Sequence, residues 1–254
     1  MGETGETDAG RVIFRITGKD RESFLQRLVT NDVSGLDSIR YAALLTPQGK
    51  FLADFFLVPE RDAILLDVAD DLSMGLLQKL NMYRLRADVH IEKTALYAIR
   101  GITRPMPDGA FEDPRHPSLG WRRYSEEPGE PPAIDWDDLR TAHAIPQHGA
   151  ELTPDTYILE AGFERLHGVD FRKGCYVGQE VTARMKHKTT LRKGYVRVGL
   201  EGPMPRAGDK VTGEDGREVG VLTTVASGRA IAYLRFDRAK GALNAGHTRV
   251  IREG

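Results

Sequence analysis

Along the first hundred residues the apolar positions switch repeatedly between alternation and helical spacing. Val12, Phe14 and Ile16 recur at every second position, which predicts a strand over residues 11–17. Gly18 and Asp20 then introduce a helix whose apolar face is Phe24, Leu25 and Leu28. Residues 42–46 and 51–58 read as two strands, and Pro47-Gln48-Gly49 between them supplies hairpin turn chemistry. Residues 63–68 predict another short apolar strand. Asp70 or Asp71 is placed to cap the following helix, whose apolar face is Leu72, Leu76, Leu77, Leu80 and Tyr83. Arg84-Leu85-Arg86 ends it, where cations suit a helix C-terminus. Residues 89–91 and 95–99 read as further strands. Helices mixed with hairpins predict an α+β class rather than a doubly wound sheet.

The pattern then changes. Seven of the thirteen prolines fall in residues 105–132, which marks a long connection broken by a strand at 119–124. A helix is predicted over residues 136–143, before Pro146. From Gly194 onward, short strands at 194–200, 210–212, 218–225, 229–236 and 248–251 alternate with turn signals, Asp215-Gly216 the strongest. They predict a small antiparallel barrel. The expected division is an N-terminal region, residues 11–190, of two interleaved α+β subdomains, and a C-terminal barrel, residues 191–254.

Composition narrows the class. Apolar residues make up 40% and charged residues 29%, an ordinary globular balance. No apolar run reaches the roughly 18 residues of a membrane helix. Residues 1–10 carry Glu3, Glu6 and Asp8 and no basic residue, the wrong charge for a secretory or transit peptide. They read as a disordered lead-in. The one cysteine cannot form an intramolecular disulfide, which points to a reducing cytoplasm. It also excludes an iron–sulfur cluster held by four cysteines of one chain, and a Cys-rich zinc site. No His-Glu-x-x-His pattern and no Gly-x-Ser-x-Gly elbow is present, so no metal site is expected and a hydrolase triad has no anchor.

Candidate chemistry concentrates in Lys173-Gly174-Cys175-Tyr176-Val177-Gly178-Gln179-Glu180. Seven Lys and Arg residues lie between Arg172 and Lys193 against the single acid Glu180, about +6 in a chain of net charge −1. Such a concentration steers in anionic ligands. A lone cysteine is most often a small buried hydrophobe. Three features argue instead for a reactive thiol at Cys175. Gly174 and Gly178 permit unusual backbone angles and close approach of a ligand. Lys173 favours the thiolate. Gln179 and Glu180 add an amide and a carboxylate. The run from Arg184 to Lys193 reads as a solvated face, as a phosphate-binding strip, or as a seat for a small polyanion such as a glutamate tail.

The octapeptide resembles the signature K-G-C-[FY]-x-G-Q-E of the YgfZ/GcvT-like folate-binding proteins, and meets it at every position. Residues 18–33 with Thr30-Asn31-Asp32, Thr46-Pro47-Gln48-Gly49-Lys50, Tyr83-Arg84-Leu85-Arg86 and residues 220–236 are similar to further segments of that family in the same order. The resemblance implies a GcvT-like fold: mixed α/β subdomains around a central folate pocket, with a C-terminal antiparallel β-barrel. It implies tetrahydrofolate or a derivative as cofactor, with Lys173, Gly174, Tyr176, Gly178, Gln179, Glu180 and Arg184 binding it. Lys173 and Cys175 are the implied reactive pair. Two departures stand out. Folate enzymes of this fold place a carboxylate for the pterin where this chain has Ala142, with Glu160 as a substitute. The aminomethyltransferases carry an aspartate near the position of Met74.

The function so implied is a cytoplasmic, monomeric, tetrahydrofolate-binding factor that assembles or repairs iron–sulfur enzymes and so supports tRNA modification indirectly. Its partners would be folate and iron–sulfur client enzymes, with no membrane. One rival reading is a tetrahydrofolate-dependent one-carbon (aminomethyl) transferase. The other is an adaptor that binds RNA or a client through residues 184–193.

Overall fold

The structure, a computed structural model, describes residues 5–188 and 190–253, the side chain of Lys188 excepted. The chain forms two compact units. One comprises residues 1–134 and 164–180, the other residues 135–163 and 181–254.

The first unit holds two antiparallel sheets. The larger is built from β2 (Arg11–Thr17), β3 (Arg40–Leu45), β4 (Phe51–Glu60), β5 (Ala63–Ala69) and β6 (His90–Lys93), in the order β3-β4-β5-β2-β6. The Pro47-Gln48-Gly49 turn joins β3 to β4 as predicted, with Gly49 at φ 76°. Two helices pack on this sheet: α1 (Arg21–Gln26) and α2 (Asp70–Arg84). Phe24, Leu25, Leu28, Leu76 and Leu80 are buried with the apolar faces of β2 to β5 in one core, so both predicted helix faces are met. Neither Asp70 nor Asp71 caps α2. Ala69 occupies the N-cap position, and the two acids lie in the first turn, where they complement the helix dipole. Met74 is 72% exposed on the outer face of α2.

The smaller sheet contains β1 (Glu6–Thr7), β7 (Tyr97–Gly101), β8 (Phe111–Glu112) and β9 (Trp121–Ser125), in the order β1-β7-β9-β8. Its first strand corrects the expectation of a disordered lead-in. Glu6 is buried, and its Oε1 accepts the backbone N–H groups of Ala133 and Ile134 at 2.6 and 2.7 Å. Residues 1–4 of that lead-in lie outside the described residues.

The second unit is a closed six-stranded barrel in the order β10-β13-β12-β11-β14-β15: β10 (Lys193–Glu201), β11 (Lys210–Thr212), β12 (Glu218–Ala226), β13 (Arg229–Arg235), β14 (Leu243–Ala245) and β15 (Thr248–Arg252). α3 (Trp136–Ala142) and the segment up to Phe163, which composition groups with the N-terminal region, belong with the barrel. The reason is a buried ion pair. Arg140 of α3 donates to Glu151 Oε2 at 2.8 Å and to Thr224 Oγ1 of β12 at 2.6 Å, while Thr224 donates to Glu151 Oε1. The octapeptide runs into α4 (Gln179–Lys188), a helix where the sequence reads only a charge run. Among the described residues no helix is long and apolar enough to cross a membrane.

Candidate functional site

The segment after α1 builds the seat for the octapeptide. Thr30 Oγ1 donates to Gly168 O and accepts the N–H of Ala43, and Thr30 O accepts the N–H of Asp170. Asn31 Nδ2 donates to Tyr41 O and His167 O. These bonds fix residues 167–170 against β3 and the loop after α1. Three carbonyls of that loop then converge on one point. Lys173 Nζ donates to Gln26 O at 2.8 Å, Val29 O at 2.6 Å and Asn31 O at 2.8 Å. Burial pulls the Lys173 pKa down to about 8. That is still above neutrality, and the three acceptors favour the ammonium form.

This geometry revises the role expected of Lys173. An ammonium has three N–H donors, and all three are committed to carbonyls. The ammonium also lies 5.4 Å from the centroid of the Tyr176 ring and within the fields of Asp32 and Asp170. Lys173 is therefore a buried anchor with no donor left for a folate tail or a thiolate. Tyr176 is the second anchor, itself buried, and Val177 packs against the core of the larger sheet. Between the two anchors Gly174 and Cys175 are exposed. The thiol is thus held in solvent at the apex of a loop fixed on both sides.

Gly178 closes the loop. It sits at φ +83°, and a Cβ there would lie 2.7 Å from Thr46 O and 3.1 Å from Gly49 Cα. Its close approach is to the β3–β4 turn, not to a ligand. Gln179 and Glu180 begin α4, with Gln179 N–H bonded to Tyr176 O at 3.3 Å. Glu180 is exposed, and Arg184 is exposed one turn further along α4. The structure therefore brings Lys173, Tyr176 and Gly178 together as supports of Cys175. Lys173 and Gly178 do not converge on a common ligand, since the lysine's donors go to carbonyls and the glycine faces the β3–β4 turn.

The carboxylate chemistry of folate enzymes is absent from the two expected positions. Met74 is exposed, and Ala142 contributes a backbone carbonyl that accepts Arg197 Nη1 at 2.7 Å. Glu160 is buried, and its Oε2 accepts the Tyr233 hydroxyl at 2.7 Å with Lys193 Nζ 3.8 Å away.

A group of charges unanticipated by the sequence reading lies between the two sheets of the first unit. Asp67 of β5 is fully buried and accepts from Arg11 Nε at 2.6 Å, Arg122 Nη2 at 2.9 Å and the Tyr124 hydroxyl at 2.8 Å. Arg122 also donates to Asp8, and the guanidiniums of Arg122, Arg115 and Arg11 surround the Phe56 ring at 4.3, 4.8 and 5.7 Å. Burial opposes the ionisation of Asp8, but Arg122, Arg100 and Arg11 outweigh it and hold its pKa down to about 2. The signal for this network is Asp67 itself, one acid within an otherwise apolar strand, which has to find a cation.

With this geometry in view, comparison with known proteins places the chain. Residues 192–252 match the family described as the CAF17 C-terminal beta-barrel domain. The fold is GcvT-like: the aminomethyltransferase T of the glycine cleavage system from Bartonella henselae superposes with a TM-score of 0.74 over 98% of this chain and 86% of that one, at 14% identity. The class is that of iron–sulfur cluster assembly factors. The mouse mitochondrial iron–sulfur cluster assembly factor IBA57 is 30% identical over 92% of this chain and 78% of its own length. The human protein is 28% identical over the same shares, and the Mycosarcoma maydis homologue is 32% identical over 78% of this chain and 58% of its own. The chain belongs to the IBA57 family. The resemblance to the YgfZ branch is thereby refined to a related group on the same fold. The expected cytoplasmic location is overturned, since these relatives are mitochondrial proteins by name. A single unpaired cysteine marks a reducing environment without saying which one.

Proposed function

We propose that this chain assembles or repairs iron–sulfur proteins by offering the Cys175 thiolate as one ligand to an iron–sulfur species carried by a client. The observation that carries the reading is the placement of the chain's one cysteine, exposed at the apex of a loop anchored by buried Lys173 and Tyr176. One cysteine cannot complete the ligand set of a cluster, so the remaining ligands come from the partner. The step is ligand exchange. The Cys175 sulfur forms a bond to iron, a ligand of the partner leaves that iron, and the thiol proton goes to solvent. No electron changes hands. Any effect on tRNA modification is indirect, through a client that modifies tRNA.

Cys175→Ala and Cys175→Ser test this in cells lacking the native protein. The expected result is loss of client iron–sulfur enzyme activity with the variant's thermal midpoint unchanged. Full support of the clients by Cys175→Ala overturns the reading.

Tetrahydrofolate is a proposal of lesser reach. Two of the residues that the resemblance assigns to it are engaged elsewhere: the donors of Lys173 go to carbonyls and Gly178 faces the β3–β4 turn. Anaerobic calorimetric titration of mono- and polyglutamyl tetrahydrofolate into the chain tests it. Micromolar affinity that rises with tail length is the supporting result.

A further inference from the structure

The first unit carries a cleft of about 460 Å³ between the end of α1 and the end of α2. Phe24 and Tyr83 give it an apolar lining, and Arg27, Arg84, Leu85 and Arg86 complete the wall. The volume falls within the roughly 300–1,000 Å³ range of ligand-binding clefts.

Leu85 is the informative residue. It ends α2 at φ 46° and ψ −107°, a conformation that favours glycine, and it is 88% exposed. A leucine there is unfavourable twice over: its Cβ is strained and its side chain is left in water. Glycine is the ordinary residue just beyond a helix end, for the same steric reason. The fold gains nothing visible from this choice. Local conflict of that kind, without a compensating contact, marks a functional position. Met82, one turn back on α2, is also 55% exposed. Leu85 lines the cleft itself, whereas Met82 lies outside its lining.

The charges are as one-sided as the shape. Arg27, Arg84 and Arg86 form no ion pair among the described residues. Arg27 donates to Ser23 O and Arg84 to Val89 O, both backbone acceptors. The cleft's one carboxylate, Asp20, accepts the N–H of Asp88. A net excess of two cations therefore faces the cleft.

We propose that this cleft is a docking site for an acidic segment of a partner protein that also carries apolar side chains. The unpaired guanidiniums call for carboxylates. The exposed Leu85 in the cleft wall calls for a protein surface, since a small anion would leave it in water. The site adjoins the thiol loop through α1, because Arg27 follows Gln26, whose carbonyl accepts Lys173 Nζ. A partner docked here stands beside the segment that seats Cys175. The proposal deepens the cluster-assembly reading by naming the chemistry of its partner, and its test does not depend on Cys175.

The test selects phage-displayed random dodecapeptides on the immobilised full chain, with counter-selection on the Leu85→Gly/Arg86→Glu double variant. Binding of the enriched peptides is then measured by fluorescence anisotropy. The expected peptides combine Asp or Glu with aliphatic or aromatic residues. Leu85→Gly weakens them about tenfold or more, as loss of an anchor does. Arg86→Glu weakens them with reduced salt dependence, and Cys175→Ala leaves affinity unchanged. Leu85→Gly keeps or raises the thermal midpoint, because glycine relieves the strained φ. Three results each overturn the proposal: no enrichment over the double variant, enriched peptides without acidic residues, or a thermal midpoint lowered by Leu85→Gly. Free triglutamate binding as tightly as the peptides overturns it also, by removing the apolar component. Failure of the cluster reading is recognised separately, by Cys175→Ala supporting client activity while peptide binding persists.

Discussion

Lys173→Met isolates the anchor from the thiol. The substitution keeps the aliphatic stem and removes the ammonium, leaving the carbonyls of Gln26, Val29 and Asn31 without their shared donor. A buried acceptor left unsatisfied costs about 1–3 kcal/mol, so three amount to about 3–9 kcal/mol. Against this stands the cost of burying the ammonium, several kcal/mol, which the variant no longer bears. The expected net loss is about 3–5 kcal/mol, from three unsatisfied buried carbonyls offset in part by the ammonium's burial cost. For a chain of this size that lowers the thermal midpoint by about 6–20 °C. Urea unfolding at pH 7 measures it, followed by fluorescence of the buried Trp121 in a Trp136→Phe background. Cys175→Ala is the control and stays within about 1 kcal/mol, because the thiol is exposed. Lys173→Arg does not rescue, since a planar guanidinium fork cannot place three donors on three converging carbonyls. A Lys173→Met protein within about 1 kcal/mol of wild type refutes the anchor assignment. Lys173 would then be available for the anion-binding role that its position beside Cys175 first suggested.

Three further outcomes follow from the same contacts. Gly178→Ala strains a positive φ and drives a Cβ against the β3–β4 turn, with an expected loss of about 2–4 kcal/mol in urea unfolding. Glu151→Ala removes the buried carboxylate shared by Arg140 and Thr224, leaves Arg140 only its ion pair with the exposed Asp137, and costs about 3 kcal/mol, read as a lower midpoint for the barrel unit. Asp8 is held at a pKa of about 2, below the ordinary 3.8, so its ionised form stabilises the folded state above pH 4. That contribution, about 2 kcal/mol, is lost as pH falls from about 4 to 2. Urea unfolding across that interval shows a pH slope, and Asp8→Asn flattens it.

What was legible in the sequence was local. The strand at residues 11–17 and the buried faces of α1 and α2 follow from periods of two and 3.6, which a single segment displays by itself. Four of the six barrel strands agree with the expected spans to within a residue at each end, and β11 coincides with its span. β14 escaped because three residues carry no periodicity. β1 escaped because two residues in an acidic terminus look like solvated chain; only the partner strand β7 and the donors at Ala133 and Ile134 make Glu6 an interior residue. The helix α4 was hidden by its own polarity, since Val181, Ala183 and Met185 are its only apolar side chains and the cations around them dominate its pattern. The role of Lys173 was illegible for a different reason. Its acceptors are backbone carbonyls more than 140 positions away, and a carbonyl leaves no trace in the residue type that bears it.

The exposed thiol and its buried supports together constrain the chemistry more than either does alone. A cysteine that bound a cluster permanently would need further ligands on the same chain, and the sequence supplies no other cysteine. A cysteine that served only packing would be covered, and Cys175 is not. An exposed thiol on a mobile loop would meet any oxidant or metal in many orientations. Here Lys173 and Tyr176 restrict the approach, because both flanking side chains are fixed in the core and only Gly174 and Cys175 project. The aminomethyltransferase T structure shares this fold, and a shared fold does not carry a function with it. Under the reading proposed above, Cys175 offers a single ligand at fixed orientation, a geometry suited to a shared and temporary bond to iron.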